Sequence, residues 1–368
     1  MSSILIVGGY GAFGARAAEL LARHPEHAII VAGRSRETAT AFARRLARKA
    51  ATQIRATTLD ATTATANEIR RLGARVLINA SGPFQRQDYE LARAAIAAGC
   101  HYIDLADAHA FVAGIEALDA DARAADVCVV SGASSVPGLS SAVVQEYAKD
   151  FASLQEVEIA ISPGNSFDPG VATVASILTQ AGKPHEELRE GAFKTVYGWQ
   201  GLQRARFPGL GRRWLASVDV PDLTLLPRRF QSLRDVRFKA GLEVGLFHLG
   251  VWGMSWLVRS GLIRDLSAWS SALLAVKRRL GFLGSDRGGM FVELRGSNAN
   301  GERMSLRWHL VAGSGHGPYV PAVASVILAR RLIAGEGPPA GAHPCVALFS
   351  LEEFEATVAG LDIACGID

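Results

Sequence analysis

The N-terminal stretch constrains the fold of this chain more than any other part of the sequence. Ile4–Val7 is a short apolar run, and it leads without a spacer into a turn that contains Gly9, Gly11 and Gly14. The segment that follows is rich in Ala, Leu and Arg, which predicts a helix over residues 12–23. The order of strand, glycine turn and helix, with the spacing G-x-G-x-x-G, predicts a loop that binds the diphosphate of a dinucleotide.

Each part of this loop has a physical role. Glycines allow a tight turn, the close approach of a diphosphate to the backbone, and close packing of the helix on the strand. The free N–H groups and the positive dipole end of the helix then point at the diphosphate. The loop residues predicted to bind the cofactor are Gly9, Tyr10, Gly11, Ala12, Phe13 and Gly14.

The end of the second predicted strand indicates which dinucleotide binds. Residues 27–32 read as a strand and lead into Gly33, Arg34 and Ser35, about twenty residues after the glycine loop. NAD-binding folds place an acidic residue there for the ribose 2′-hydroxyl, whereas an arginine accommodates a 2′-phosphate. Arg34 and Ser35 therefore predict NADP rather than NAD.

Two further strand ends carry candidate cofactor contacts. Asp60 closes the predicted strand 53–59, where its carboxylate can reach the adenine edge; a turn or helix-capping role is an equally open alternative. The predicted strand 76–79 leads into a turn of small residues, which we expect to lie against the ribose and nicotinamide. The predicted contacts in this turn are Asn79, Ala80, Ser81, Gly82 and Pro83.

The alternation of strands and helices predicts an α/β protein. Residues 1–145 are expected to form a Rossmann-like doubly wound parallel sheet that binds NAD(P). Residues 146–315 are expected to form an α+β domain with a mixed sheet, for substrate binding and dimerisation. A helix at about 318–335 is expected to pack back on the first domain, and residues 336–368 to form a C-terminal extension.

Composition narrows the class of protein. The chain has 368 residues, of which 49% are hydrophobic, enough for the cores of two domains. The net charge of +4 is modest for this length and predicts no nucleic-acid partner. The four cysteines are widely spaced without a C-x-x-C pair, which predicts a reducing cytoplasmic location and no metal site. We find no signal-peptide pattern and no run of about 18 uncharged apolar residues.

One apolar stretch in the second domain has several possible roles. Residues 245–258 are almost wholly apolar and aromatic, and a predicted helix at 265–280 follows. The stretch can be a buried core or dimer contact, a substrate lid, or a surface that contacts lipid or a membrane. Its glycines are expected to interrupt a continuous amphipathic helix, which favours buried contacts and a homodimer. Nearby basic residues keep lipid contact open, since residues 201–240 hold nine Lys/Arg against three Asp/Glu.

Several motifs together resemble one family. They are Gly9-x-Gly11-x-x-Gly14, Gly33–Ser35, Asn79–Phe84, Gly99–Asp104 and Val136–Gly138. In combination they are similar to the saccharopine dehydrogenase family, in particular its NADP-binding domain, over about residues 3–145. The resemblance continues more loosely through the second domain.

The resemblance implies a Rossmann domain paired with an α/β domain that supplies the substrate site and often the dimer interface. It implies hydride transfer between NAD(P) and a C–N bond of a small molecule such as an amino acid or imine. Some relatives resemble enoyl reductases that act on lipid chains, which is the alternative activity. Members that act on amino acids commonly have Asp-Pro-Gly where this chain has Val136-Pro137-Gly138, and this departure argues against an aminodicarboxylate substrate.

Few residues are required for the proton that accompanies hydride transfer. Asp104, Asp107 and His109 follow the fifth predicted strand, where a carboxylate or imidazole can exchange that proton; Asp107 can instead cap the next helix. His316, from the second domain, is another candidate, with an ordinary loop histidine as the alternative. The predicted catalytic residues are therefore Asp107, His109 and His316. A different class remains open: a non-catalytic NADP-binding sensor or membrane-associated scaffold.

Overall fold

A computed structural model describes residues 2–168 and 170–368, and it divides into two compact units. The first unit contains the chain up to Leu139 together with Pro318–Val358. The second contains Ser140–Gly317 together with Ala359–Asp368. Residues 336–368 were predicted to be a C-terminal extension. Instead, residues 336–358 belong to the first unit and residues 359–368 to the second.

The part of the chain up to Leu139 alternates between strands and helices. The strands are β1 (Ser3–Val7), β2 (Ala28–Gly33), β3 (Ile54–Thr58), β4 (Ala74–Asn79), β5 (His101–Asp104) and β6 (Cys128–Ser131). The helices are α1 (Gly14–Leu21), α2 (Arg36–Ala47), α3 (Ala66–Leu72), α4 (Glu90–Ala97), α5 (His109–Ala113) and α6 (Asp119–Ala124). The last two of these helices are short, and a 3₁₀ turn over Ile115–Leu118 joins them.

In the middle of the chain, several strands are longer, and strands and helices alternate less regularly. The helices are α7 (Ser140–Tyr147), α8 (Gly170–Gln180), α9 (Asp222–Arg229), α10 (Gly245–Arg259) and α11 (Ser270–Arg279). The strands are β7 (Ser153–Ser162), β8 (Pro184–Arg189), β9 (Ala192–Tyr197), β10 (Gln203–Phe207), β11 (Gly211–Ser217), β12 (Asp235–Ala240), β13 (Gly288–Ser297) and β14 (Arg303–Ala312). The C-terminal part adds α12 (Val320–Ala334), β15 (Gly341–Pro344), α13 (Leu351–Val358) and β16 (Ile363–Ile367).

The described strands of the first unit form one parallel sheet in the order β15-β6-β5-β4-β1-β2-β3. This order confirms the predicted doubly wound sheet, and the winding direction reverses between β1 and β4. β1 and β2 are buried along their whole length, which explains their uninterrupted apolar sequences. Ligands of such sheets bind beyond the carboxyl ends of the strands near the reversal.

Both faces of this sheet are covered by helices. On one face, Leu5, Leu77 and Tyr102 pack with Leu91 and Ile96 of α4 in a single buried cluster. On the other face, α12 contacts α1, β4 and β5. The segment Gly317–Ala334, which contains α12, is the one described helical segment with the length and composition to span a membrane, but 61% of it is buried. We therefore interpret α12 as a core helix of the first unit.

The second unit is built on a mixed sheet. The described strands run in the order β10-β11-β12-β7-β13-β14-β16, and β8 pairs with β12 and β9 beside this path. β12 and β7 are parallel, whereas β7, β13, β14 and β16 are antiparallel neighbours. This agrees with the predicted mixed sheet. The prediction that glycines interrupt residues 245–258 is wrong: α10 is continuous, because Gly250 and Gly253 lie on its exposed side.

Candidate functional site

The glycine loop is organised around Gly8, the residue that directly follows β1. Gly8 has a φ of 74°, and a Cβ on it would lie 2.8 Å from the carbonyl oxygen of Ala80. Gly11 N donates to the carbonyl oxygen of Gly8 at 2.9 Å, and a Cβ on Gly14 would lie 2.3 Å from that oxygen. The tight turn therefore belongs to Gly8, which the sequence analysis did not include. Its position immediately after an apolar strand was the available signal.

The outer side of this loop suits a diphosphate. α1 begins at Gly14, and Phe13 at its N-cap supplies no side-chain acceptor for the N–H groups of the first turn. These groups and the positive end of the helix dipole attract an anion. Gly11 is exposed, and Ala12 is partly exposed beside it. The predicted loop residues thus form a cradle that a Cβ on Gly14 would disrupt, so they fit a dinucleotide.

Tyr10 connects the glycine loop to the end of β2. Ser35 N donates to the hydroxyl oxygen of Tyr10 at 3.0 Å. The ring of Tyr10 lies on Gly33, where a Cβ would be 2.5 Å from Tyr10 Cε1. Tyr10, predicted to contact the cofactor, therefore also positions the backbone of Arg34 and Ser35 relative to the loop.

Arg34 and Ser35 lie at the beginning of α2. Ser35 is the N-cap of this twelve-residue helix, and its hydroxyl oxygen accepts from Thr38 N at 3.2 Å. Arg34 precedes the cap and Arg36 follows it, and both side chains are exposed. Two guanidinium groups beside a helix N-terminus suit a phosphate group. Arg34 was predicted from its distance to the glycine loop, whereas Arg36 was not predicted, although it is next to the motif.

Asp60 follows β3 and is held in a turn. Its Oδ1 accepts from the backbone N of Thr62 at 3.0 Å and from the Thr62 hydroxyl at 2.9 Å. These hydrogen bonds lower the pKa of Asp60, with a smaller contribution from the charge of Arg34. The turn alternative stated for Asp60 is therefore present in the structure.

The turn after β4 is shaped by a buried amide. Asn79 is 1% exposed; its Nδ2 donates to the Tyr102 hydroxyl at 3.0 Å, and its Oδ1 accepts from Ser81 N at 3.0 Å. Ser81 is partly exposed, and Gly82 and Pro83 are exposed. Asn79 therefore fixes the turn from inside the protein, and the residues available for a ligand are those that follow it.

Asp104 is a buried carboxyl group that ties the ends of β5 and β6 together. It is fully buried, and its Oδ1 accepts from the Ser131 hydroxyl at 3.0 Å, Gly132 N at 2.9 Å and Ala106 N at 3.0 Å. Burial raises its pKa to about 6, against the opposing effect of these donors. Asp104 was considered as a proton carrier, but its burial and its three donors give it a structural role.

Asp107 and His109 lie just beyond β5. Asp107 is exposed, and its Oδ1 accepts from Gln85 Nε2 at 3.2 Å, which joins the turns after β4 and β5. The N-cap of α5 is Ala108, so the alternative that Asp107 caps this helix is wrong. His109 is the first residue of α5 and is partly exposed.

The register of the sheet explains why these groups share one edge. Val7 pairs with Ala32 on one side and with Asn79 on the other, and Asn79 pairs with Asp104. The segments that follow these residues therefore leave the sheet at the same level. The predicted catalytic residue His316 belongs to the second unit. Its Nδ1 accepts a hydrogen bond from Asp362 N at 2.8 Å, and this bond connects the turn that contains His316 to the C-terminal segment.

The cysteines of the first unit do not have the properties of nucleophiles. Cys100 and Cys128 are each 1% exposed, and burial raises the pKa of both thiols to about 12. Both are therefore protonated at neutral pH. Within residues 2–168 and 170–368, no group of three or more His, Cys, Asp or Glu side chains is arranged to hold a metal ion.

Comparisons with known proteins agree with this site. Residues 4–130 match the family model described as the saccharopine dehydrogenase NADP binding domain. Saccharopine dehydrogenase (L-Glu forming) from Saccharomyces cerevisiae has the same fold: the TM-score is 0.66 at 13% identity, with 100% of both chains covered. GenD2 from gentamicin A biosynthesis, solved in complex with NAD, gives a TM-score of 0.39 at 14% identity, covering 83% of this chain and 71% of that one. No curated protein matches the sequence.

The doubly wound sheet, the glycine loop at its reversal point and the family match define an NAD(P)-dependent oxidoreductase. Residues 4–130, about a third of the chain, are similar to the NADP-binding domain of the saccharopine dehydrogenase family.

Proposed function

We propose that this protein uses NADP to transfer a hydride to or from a C–N bond of a small-molecule substrate. The observation that carries the choice of NADP is the position of Arg34 and Arg36 on either side of the α2 N-cap, next to the glycine loop. The C–N bond is proposed because the matching family model is named for saccharopine dehydrogenase, an enzyme of C–N chemistry.

In this proposal, the chain binds and orients the cofactor. The backbone of Gly9–Gly14 and the N-terminus of α1 bind the diphosphate, and Arg34 with the N-terminus of α2 binds the 2′-phosphate. Ser81–Pro83 would hold the nicotinamide ring, which would supply or accept the hydride when bound. Asp107 and His109 are the proposed groups for proton exchange, since they lie beyond the adjacent strand and reach the surface.

Substitution of Arg34 tests the proposed preference for NADP directly. Arg34→Asp is expected to lower the affinity ratio of NADPH to NADH at least tenfold, because a carboxylate repels the 2′-phosphate and can accept from a 2′-hydroxyl. The ratio is measured by fluorescence titration of each cofactor. Arg44→Asp is the matched control, since Arg44 is exposed on the same helix and the charge change is identical. An unchanged ratio in Arg34→Asp would contradict the assignment.

A second candidate function is reduction of an enoyl group on a lipid chain. Two observations favour it: Val136 replaces the family's carboxylate and is buried, and α10 has an exposed apolar side in the other unit. NADPH consumption with imines, amino acids and enoyl thioesters distinguishes the two candidates. Binding of NADPH without turnover of any of them would favour the non-catalytic sensor.

The remaining proposals concern the cellular location and the oligomeric state of the protein. Among the described residues, the four cysteines are thiols rather than disulfides, and this supports a cytoplasmic location. A homodimer is proposed from the family resemblance, and sedimentation of the purified protein tests it.

A further inference from the structure

Helix α10 exposes apolar side chains along its whole length. The residues on its buried side are His248, Val251, Ser255 and Val258. The large side chains on its exposed side are Leu246, Leu249, Trp256 and Leu257. The exposed fraction of Leu246 is 69%, and Arg259 at the C-terminal end is the only Lys, Arg, Asp or Glu of the helix. A surface helix normally has charged residues on its outer side, so α10 departs from the ordinary pattern.

Further exposed apolar residues follow α10 in the sequence. Of the twelve large hydrophobic residues that are exposed in the described chain, nine lie within residues 245–283. Leu262, after α10, and Phe282, after α11, are each 77% exposed. We call these nine residues the apolar patch: Leu246, Leu249, Trp256, Leu257, Leu262, Trp269, Val276, Phe282 and Leu283. Single exposed hydrophobic residues are common, but this concentration in one segment indicates a binding surface.

Basic residues accompany the apolar patch. Residues 245–283 contain five Lys/Arg and one Asp, a net charge of +4. They are placed at the C-terminal ends of α10 and α11: Arg259, Arg264, Lys277, Arg278 and Arg279. Arg259 Cζ lies 3.9 Å from the ring centroid of Tyr197 and 5.0 Å from that of Trp256. Exposed Leu and Trp bordered by Arg and Lys are typical of elements that lie in the interface of a lipid bilayer.

We propose that residues 245–283 dock the second unit on the surface of a bilayer that contains anionic lipids. The apolar patch enters the boundary between headgroups and acyl chains, and the exposed Arg264 and Arg279 contact anionic headgroups. Lys277 and Arg278 are held within the unit, by the carbonyl oxygens of Asn165 and Phe167 and by Asp168 respectively. Charge favours this occupant over a second copy of the chain. A two-fold symmetric interface would bring two positively charged surfaces together, whereas anionic lipid neutralises the charge.

Vesicle flotation tests this proposal with the full-length protein. The protein is mixed with vesicles of phosphatidylcholine alone or of phosphatidylcholine with phosphatidylglycerol. We expect flotation with the anionic vesicles, weaker flotation with the neutral ones, and a decrease at high salt. The double variant Leu246→Glu/Leu257→Glu is expected to lower the bound fraction at least tenfold. The control Phe193→Glu, at an exposed apolar residue outside the patch, is expected to float like the unaltered protein.

A second pair of variants tests the contribution of charge. Arg264→Glu/Arg279→Glu is expected to reduce flotation with anionic vesicles, whereas Arg212→Glu/Arg303→Glu, at exposed residues elsewhere in the same unit, is not. Thermal unfolding of every variant shows that it is folded. Absence of flotation with both vesicle types would overturn the proposal. So would flotation that the patch variants leave unchanged. A third outcome is that the unaltered protein does not float but is a dimer, and that Leu246→Glu/Leu257→Glu dissociates this dimer. That outcome would identify the apolar patch as an interface between copies of the chain.

Discussion

Gly14→Ala is expected to weaken NADPH binding by at least tenfold. The new Cβ would lie 2.3 Å from the carbonyl oxygen of Gly8 and 2.9 Å from its carbonyl carbon, and both are backbone atoms. No side chain can move to relieve this contact, so either the start of α1 or the turn at Gly8 must shift. Either movement displaces the N–H groups that the proposal assigns to the diphosphate. A tenfold loss corresponds to about 1.4 kcal/mol of binding free energy.

The measurement is titration of NADPH by fluorescence, with thermal shift as a second readout because a ligand of the folded state raises its stability. Gly253→Ala is the matched control: Gly253 is also in a helix, and nothing lies within 4 Å of the position of its Cβ. It is expected to retain the NADPH affinity of the unaltered protein. If Gly14→Ala also retained it, the glycine loop would not be the diphosphate site.

Asp104→Ala is expected to lower the free energy of unfolding by about 3 kcal/mol or more. The substitution leaves the Ser131 hydroxyl, Gly132 N and Ala106 N without their buried acceptor, and each lost partner carries a cost. Asp104→Asn retains Oδ1 as an acceptor and is expected to cost much less. Urea unfolding measures both. The exposed neighbour Asp107→Ala is the control, with an expected change within about 0.5 kcal/mol.

The raised pKa of Asp104 predicts that the stability of the folded protein depends on pH. Its pKa is raised from 3.8 to about 6, so the folded protein binds this proton more tightly than the unfolded chain does. The stability contributed by the protonated carboxyl is therefore complete below about pH 4 and is lost as the pH rises through about 6. A shift of this size corresponds to roughly 3 kcal/mol.

Asparagine does not titrate, so the stability of Asp104→Asn relative to the unaltered protein is expected to increase from pH 4 to pH 7. The other carboxyl groups contribute equally to the stability of both proteins, so their contributions cancel in this comparison. A difference that stays constant over this range would show that Asp104 has an ordinary pKa.

The first unit could be predicted well because its elements have local signals. Apolar runs that are buried on both sides of a sheet show in the sequence directly, as in β1 and β2. The position of Arg34 could be predicted because the distance from the glycine loop to the end of β2 is nearly constant in this fold. α3 was missed although its signal is present: Thr65 and Glu68 form a capping box before the helix.

The roles of buried polar groups could not be predicted, since they depend on contacts between distant segments. Asp104 receives hydrogen bonds from Ser131, the last residue of β6, and from Gly132, which follows it. Nothing near Asp104 in the sequence shows that it is buried rather than exposed at the strand end. The same applies to Tyr10, because its contact with Ser35 forms only when β1 and β2 are adjacent.

The second unit was harder to predict because its strands pair over long distances and alternate weakly. β8 to β11 were missed; they contain several charged residues and are short. α10 was misjudged for a different reason. Glycine lowers helix propensity by up to about 1 kcal/mol per residue, but contacts along the buried side of α10 compensate for this cost.

The chain leaves the first unit at Leu139 and returns to it only at Pro318, and this has a consequence for biosynthesis. β15 joins β6 at one edge of the first sheet, and β16 joins β14 at one edge of the second. Both sheets therefore acquire an edge strand from residues 341–367, which are synthesised after all the other strands of the two sheets. Until then, β6 and β14 have unpaired edges, and an unpaired edge strand can pair with another chain.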